Sequence, residues 1–219
     1  MLVPMDITAV AGSLRQGSYN QALLRAALEL APQGMRIEIH DLSSIPLFNE
    51  DVERAGIPQP VAALRTAVAE ADGFLIATPE YNHGVPGVLK NAFDWLSRPP
   101  GKSVLAGKPS AILGASPGMT GSARGQSQLR QSFVFTNTPV LAQPEVLVAR
   151  AHEKFDANGQ LTDDPTRKFL ALFLNEFAAW VTRFPRSAPP QRAMPARPIP
   201  ADRVRSSVPF DERNPAGPR

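Results

Sequence analysis

Residues 73–78 read Gly-Phe-Leu-Ile-Ala-Thr, with apolar side chains at four consecutive positions. Successive side chains of a strand point to opposite faces, so a strand of this composition has to be buried on both faces. Such double burial is typical of the interior of a parallel sheet that helices cover on each side. The stretch therefore predicts an α/β fold with this strand inside a parallel sheet.

Four further strands alternate with helices on either side of it. Buried strands are predicted over 7–11, 110–115 and 145–148, and residues 36–41 alternate apolar and polar side chains as a half-buried strand does. Short crossovers force parallel pairing. Five strands joined in this way fit a flavodoxin-like, doubly wound sheet of order 2-1-3-4-5. Apolar spacing predicts helices over 21–31, 61–71, 88–96, 124–135 and 164–183, and a proline-bearing loop over 44–60.

Composition divides the chain into two parts. Residues 185–219 hold nine of the 23 prolines and seven arginines against three acidic residues. Their net charge is +4, which leaves −1 for residues 1–184 because the whole chain carries +3. We therefore predict a flavodoxin-like domain over 1–184 and a proline-rich basic tail over 185–219, extended or disordered. The basic balance belongs to the tail and does not indicate a nucleic-acid partner.

Several classes of function are disfavoured by what the sequence lacks. The chain has no cysteine, which excludes disulfides, thiolate metal ligands and thiol nucleophiles. Its apolar runs are far shorter than the roughly 20 residues of a membrane-spanning helix. The first residues lack the basic and apolar regions of a signal peptide, and the three histidines are too scattered for a metal site. We expect a cytoplasmic protein without membrane partner or metal.

Residues 12–20, Gly-Ser-Leu-Arg-Gln-Gly-Ser-Tyr-Asn, lie between the first strand and the first helix. Amides at a helix N-terminus attract phosphate. Ser13, Ser18 and Asn20 could add neutral donors, and Arg15 could neutralise charge. Capping of the helix by Ser18, with Arg15 in solvent, is the simpler interpretation, but it leaves the other polar donors unexplained. The segment has neither the G-x-G-x-x-G nor the Walker pattern.

Residues 78–87, Thr-Pro-Glu-Tyr-Asn-His-Gly-Val-Pro-Gly, follow the central strand. The two prolines limit backbone freedom, so the loop can present amides at little ordering cost. Tyr81 and Asn82 could pack on and hydrogen-bond a flat heterocycle, although a proline-rich turn with a surface tyrosine fits equally well. Both loops fall at the carboxyl edge of the sheet, where the strand order reverses and ligands bind. Together they favour a flavin nucleotide.

A third loop at this edge, residues 116–122, reads Ser-Pro-Gly-Met-Thr-Gly-Ser. Its glycines allow the backbone to approach a ligand closely. A flexible connection between strand and helix is the alternative.

These three segments, with Lys90-Asn91 and Asp94-Trp95, resemble the NAD(P)H-dependent FMN reductase family, which includes quinone and chromate reductases. The resemblance covers about residues 5–183. It implies a flavoprotein with tightly but non-covalently bound FMN, in a flavodoxin-like homodimer or homotetramer. Many relatives have Gly-Gly where this chain has Gly121-Ser122, so the shape of the third loop stays open. The implied cofactor-binding residues are Ser13, Arg15, Ser18, Tyr19 and Asn20 in the first loop, Pro79, Glu80, Tyr81 and Asn82 around the ring, and Ser116 and Gly118 over it; Phe48 would approach the ring from a neighbouring subunit.

The resemblance implies an oxidoreductase. NAD(P)H would deliver a hydride to FMN, and two electrons would pass to a quinone-like or other small acceptor, with no side chain acting as acid, base or nucleophile. A flavodoxin-type electron carrier without its own substrate is the alternative. Carriers of that type are strongly acidic, which the near-neutral residues 1–184 are not. The sequence leaves the acceptor and the choice between NADPH and NADH open.

Overall fold

Five parallel strands form one sheet of order β2-β1-β3-β4-β5 in the computed structural model, which describes residues 4–185. The predicted fold and strand order are confirmed. The predicted tail lies, apart from Pro185, outside the described residues. The strands are β1 (Met5–Ala11), β2 (Met35–His40), β3 (Gly73–Ala77), β4 (Ser110–Ala115) and β5 (Val146–Val148), and the helices are α1 (Tyr19–Leu30), α2 (Glu50–Ala55), α3 (Gln59–Glu70), α4 (Gly87–Leu96), α5 (Ala123–Thr136) and α6 (Asp164–Val181), with a 3-10 turn at Ala151–Glu153.

The helices cover both faces of the sheet. Every residue of β3 is buried, as its composition predicts. Leu75 and Ala77 pack with α1 and α6, whereas Phe74 and Ile76 pack with α3, α4 and α5. Alternate side chains of this one strand thus pack into two separate hydrophobic cores, one on each face of the sheet. Within residues 4–185, no helix combines the length and the apolar character needed to cross a membrane.

The register of the strands places the loops that follow β1, β3 and β4 side by side. Ala11 pairs with Ala77, so β1 and β3 end at the same level. The N–H of Gly12 donates to the carbonyl of Ala77 at 2.8 Å, which starts the first loop directly beside the second. Ala77 pairs with Leu113, and β4 therefore extends two residues further to Ala115. The loops after β1, β3 and β4 consequently leave from one edge of the sheet.

The prediction of a loop over 44–60 is wrong for residues 50–55, which form α2. Asn49 caps this helix by accepting a hydrogen bond from the N–H of Asp51 at 2.8 Å. Arg98 forms ion pairs with Glu50 at 2.7 Å and Glu53 at 2.9 Å. No residue of α2 is buried, so the helix has no apolar period from which it could be predicted.

Residues of α4 hold the segment before α2. The Asn91 carboxamide accepts from the N–H of Phe48 at 2.7 Å and donates to the carbonyl of Pro46 at 2.8 Å. The Trp95 indole donates to the same carbonyl at 2.8 Å. The Phe48 ring packs edge-on against Trp95, 5.0 Å between centroids. Asn91 and Trp95 therefore anchor the 46–48 segment, and Phe48 packs on its own chain.

We expect Asn91→Ala to lower the free energy of unfolding by about 2 kcal/mol. The Phe48 N–H would lose its acceptor, and the Pro46 carbonyl would lose one of its two donors. Lys90→Ala is the matched control, since it removes only the exposed ion pair with Asp94 and should cost less than about 1 kcal/mol. Urea unfolding followed by circular dichroism measures both. Equal effects of the two substitutions would contradict the anchoring role.

Candidate functional site

The first loop, residues 12–18, presents backbone N–H groups without acceptors. The N–H of Ser18 bonds to the carbonyl of Arg15 at 3.0 Å. The amides of residues 13–17 donate to no acceptor within residues 4–185. Ser13 and Ser18 are both buried beside them. Leu14, Arg15, Gln16 and Gly17 are exposed, so their N–H groups are open to an external acceptor.

Ser18 supports both interpretations of the loop. Its hydroxyl oxygen accepts from the N–H of Gln21 at 3.3 Å, which caps α1. A serine hydroxyl can also donate, and its own hydrogen has no acceptor among the described residues. Capping of the helix therefore leaves a donor available for a ligand.

Arg15 supplies an unpaired positive charge to the first loop. Within residues 4–185 its guanidinium forms no ion pair. It lies over the Tyr19 ring, 5.5 Å from the centroid, and that ring packs in turn against Phe155 at 5.6 Å. The cation is thus held next to the free amides without an acidic neighbour to neutralise it.

Asn20 joins the first loop to the end of β4. Its carboxamide nitrogen donates to the carbonyl of Ala115 at 2.9 Å, and its oxygen accepts from the N–H of Ala115 at 3.0 Å. Asn20 is 3% exposed, so both bonds are shielded from water. The side chain predicted for phosphate contact thus fixes the loop, with one amide hydrogen left over.

The second loop, residues 78–87, contains a tight turn at its tip. The backbones of Tyr81 and Gly84 exchange two hydrogen bonds, of 3.1 and 2.9 Å. Asn82 and His83 between them have φ angles of 51° and 62°. Positive φ at both central residues is the type I′ geometry, which asparagine adopts readily. The amides of Glu80, Asn82 and His83 have no acceptor within residues 4–185.

One side-chain contact joins the first two loops. The hydroxyl of Tyr81 donates to the hydroxyl oxygen of Ser13 at 3.1 Å. A Cβ placed on Gly12 would lie 3.2 Å from the Pro79 ring and 3.1 Å from the Leu89 side chain, so the backbone of Gly12 packs closely against both side chains. The two predicted halves of the site are therefore neighbours.

The Glu80 side chain joins the second loop to α5. Its carboxylate accepts from the N–H of Arg124 at 2.9 Å and of Gly125 at 3.4 Å, and from the Arg124 guanidinium at 3.2 Å. Ser122, the residue before the helix, makes no capping bond of its own. Burial acts to raise the pKa of Glu80, but the hydrogen bonds from Arg124 and Gly125 outweigh it, and the pKa is lowered.

The third loop has a defined shape. The Ser116 hydroxyl accepts from the N–H of Gly118 at 3.1 Å. Gly121 and Ser122 both adopt positive φ, 57° and 76°. The serine hydroxyl accepts from the carboxamide of Gln126 at 3.2 Å. Ser122 thus occupies a left-handed conformation that favours glycine.

The site includes residues that sequence reasoning missed. Gln126 is buried and also donates to the carbonyl of Val146 at 3.0 Å, and Gln128 accepts from the N–H of Val85 at 2.6 Å. Arg124 and Gly125 donate hydrogen bonds to the Glu80 carboxylate. Polar side chains on a helix give no periodic signal that would have identified them.

Within residues 4–185, no group of three His, Cys, Asp or Glu side chains could hold a metal ion.

The donors fit a flavin mononucleotide. Free amides, two buried hydroxyls and Arg15 match a phosphate, and the free amides of the second loop match the carbonyl edge of a ring. A separate cavity of about 720 Å³ lies at the opposite end of the sheet, between the starts of β1 and β2 and the end of α6. It is lined by none of the predicted cofactor residues.

A family model and several known proteins match most of this chain. Residues 5–153 match the family model described as NADPH-dependent FMN reductase. An NAD(P)H-dependent FMN reductase of Pseudomonas aeruginosa is 49% identical over 82% of this chain and 96% of its own length. A 2-hydroxy-1,4-benzoquinone reductase of a Burkholderia species is 42% identical over 81% of this chain and 96% of its own. The structure of a flavoenzyme NAD(P)H:(acceptor) oxidoreductase from Paracoccus denitrificans superposes with a TM-score of 0.76 at 33% identity, over 82% of this chain and 98% of that one.

We expect Glu80→Gln to lower the free energy of unfolding by about 1 kcal/mol at pH 7, because a carboxylate at a helix N-terminus is replaced by a neutral amide. A lowered pKa in the folded state contributes stability that is complete above the unfolded pKa of about 4.3 and is lost as the pH falls through the folded pKa. The difference between variant and wild type should therefore shrink below about pH 4.

Unfolding in urea between pH 3 and pH 7 measures this difference. Glu176→Gln is the control, since Glu176 is exposed and forms no ion pair within residues 4–185. A deficit in Glu80→Gln that stays constant over this pH range would contradict the role assigned to the carboxylate.

Proposed function

The chain belongs to the NADPH-dependent FMN reductase family, and we propose that it uses NAD(P)H to reduce a quinone-like small molecule through bound FMN. The predicted enzyme class and cofactor are confirmed by the family match and by relatives that share 40–49% of their residues with it over most of the chain. The quinone-like acceptor rests on the names of the relatives. One observation supports the assignment to this site: the first loop has free amides and the buried Ser13, and Tyr81 of the second loop contacts that serine.

The first loop would hold the phosphate of FMN. The amides of residues 13–17 supply donors, Ser13 and Ser18 add hydroxyl hydrogens, and Arg15 supplies charge. Because one cation faces the anion and the other donors are neutral, binding depends on preformed geometry more than on net charge. Asn20 would contribute chiefly by holding this loop against Ala115.

The second and third loops would hold the ring. The free amides of Glu80, Asn82 and His83 could donate to its carbonyl edge, and peptide N–H groups there would favour the negative charge that reduction adds. Pro79 and Asn82 would frame the ring by position, and Ser116 and Gly118 would close over it. The Glu80 side chain would act indirectly, by fixing its own loop on α5.

When bound at these loops, FMN would supply the redox chemistry, namely hydride acceptance from NAD(P)H and transfer of two electrons to the acceptor. Conversion of a quinone to the hydroquinone also consumes one proton, which the solvent can supply. We assign no side chain as acid, base or nucleophile. The predicted homodimer or homotetramer and the cytoplasmic location remain part of the proposal.

Purification of the full chain with added FMN tests the function directly. We expect yellow protein that bleaches on addition of NADPH or NADH and turns over with 1,4-benzoquinone without a partner protein. Bleaching that requires a second protein for reoxidation would favour the electron carrier. Protein that takes up no FMN would overturn the assignment.

We expect Arg15→Ala to raise the Kd for FMN about tenfold, because it removes one charge-assisted hydrogen bond. Titration of FMN fluorescence at 50 and 500 mM salt measures the affinity, and the variant should show a weaker salt dependence than the wild type. Arg25→Ala is the matched control, an exposed arginine of α1 outside the loop. The same Kd in both variants would rule out a phosphate contact by Arg15.

A further inference from the structure

Tyr81 lies in the loop assigned to the ring, but its hydroxyl reaches Ser13 in the loop assigned to the phosphate, 3.1 Å away. We propose that Tyr81 is a positioning residue for the phosphate end of the cofactor, through which the protein distinguishes FMN from riboflavin. The proposal rests on the proposed function, because it needs FMN to bind at these loops.

The hydroxyl of Ser13 is arranged to donate outward. Ser13 is 3% exposed, and its oxygen accepts the hydrogen of Tyr81. Its own hydrogen has no acceptor within residues 4–185. A serine oxygen that accepts one hydrogen bond retains its hydrogen for a second partner. The N–H groups of residues 13–17, in the same loop, also have no acceptor within residues 4–185, and donors of this kind favour an anionic acceptor.

The tyrosine hydroxyl is itself held in place. The two backbone bonds between Tyr81 and Gly84 fix the turn that carries it. Gln128 binds the N–H of Val85 on one side, and Glu80 binds α5 on the other. A tyrosine has two side-chain torsions, so a fixed backbone places its hydroxyl at low entropic cost.

The three groups then form a chain from the Tyr81 hydroxyl through the Ser13 hydroxyl to a phosphate oxygen. Hydrogen bonds in such a chain polarise one another, so the first strengthens the second. The effect reaches only a ligand with an acceptor at the phosphate position. Riboflavin has the same ring but no phosphate, and it would gain nothing from this arrangement.

The alternative is that the bond from Tyr81 to Ser13 merely closes two loops together. Loss of the bond would then loosen the whole site and weaken FMN and riboflavin alike. The ratio of the two affinities separates the two roles, since a purely structural contribution would not change it.

The experiment measures the Kd of FMN and of riboflavin by quenching of flavin fluorescence, with full-length wild type, Tyr81→Phe, Ser13→Ala and the double variant. We expect Tyr81→Phe to raise the Kd for FMN three- to tenfold and to leave that for riboflavin within twofold. Ser13→Ala should raise the Kd for FMN further. The double variant should match Ser13→Ala, because Tyr81 acts through Ser13. Ser127→Ala, an exposed serine of α5, is the control for the serine substitution.

Three results would overturn the proposal while leaving the function intact: equal weakening of both ligands by Tyr81→Phe, no change in either, or additive effects in the double variant. If Tyr81→Phe does not fold, Ser13→Ala still decides, since equal loss of FMN and riboflavin there contradicts the chain of donors. Wild type that binds neither flavin would remove the proposed function itself, together with this inference.

Discussion

The paired hydrogen bonds between the Asn20 carboxamide and the backbone of Ala115 are the contact on which the site depends. They connect the start of α1 to the last residue of β4, across the end of β3. Both partners are buried, so an apolar side chain at position 20 would leave an N–H and a carbonyl of Ala115 unpaired. That costs about 1–3 kcal/mol for each group. The same bonds set the distance between the first loop and the third.

Side chains connect these loops and their surroundings. Asn20 binds the end of β4, where the third loop begins, and Tyr81 joins the second loop to the first. Glu80 and Gln128 join the second loop to α5. Several backbone N–H groups of the first two loops have no acceptor within residues 4–185, and most of them belong to exposed residues. Amides that the fold already holds in place need little reorganisation when a ligand arrives.

The fold could be predicted because its signals are local and repeated. The doubly buried strand at 73–77 and the alternation at β2 each determine a position in the sheet. Helix α2 could not be predicted, since it has no buried face and is stabilised by a cap and by ion pairs to Arg98. The site was predicted at the level of loops and residue types. Its contacts were not, because Glu80 and Arg124 are 44 residues apart and nothing local indicates that one caps the helix of the other.

In the third loop, a serine adopts a backbone conformation that usually favours glycine. Ser122 is fully buried with a φ of 76°, and Gln126 holds its hydroxyl. A Cβ on Gly114 would overlap both that hydroxyl and the carbonyl oxygen of Thr78, so only glycine fits at 114. At Gly121 a side chain would collide with the backbone of Leu147, at 2.5 Å from its carbonyl carbon. The shape of this loop is thus set by its contacts with β4, β5 and α5, while Gly118 and Met119 at its tip are exposed.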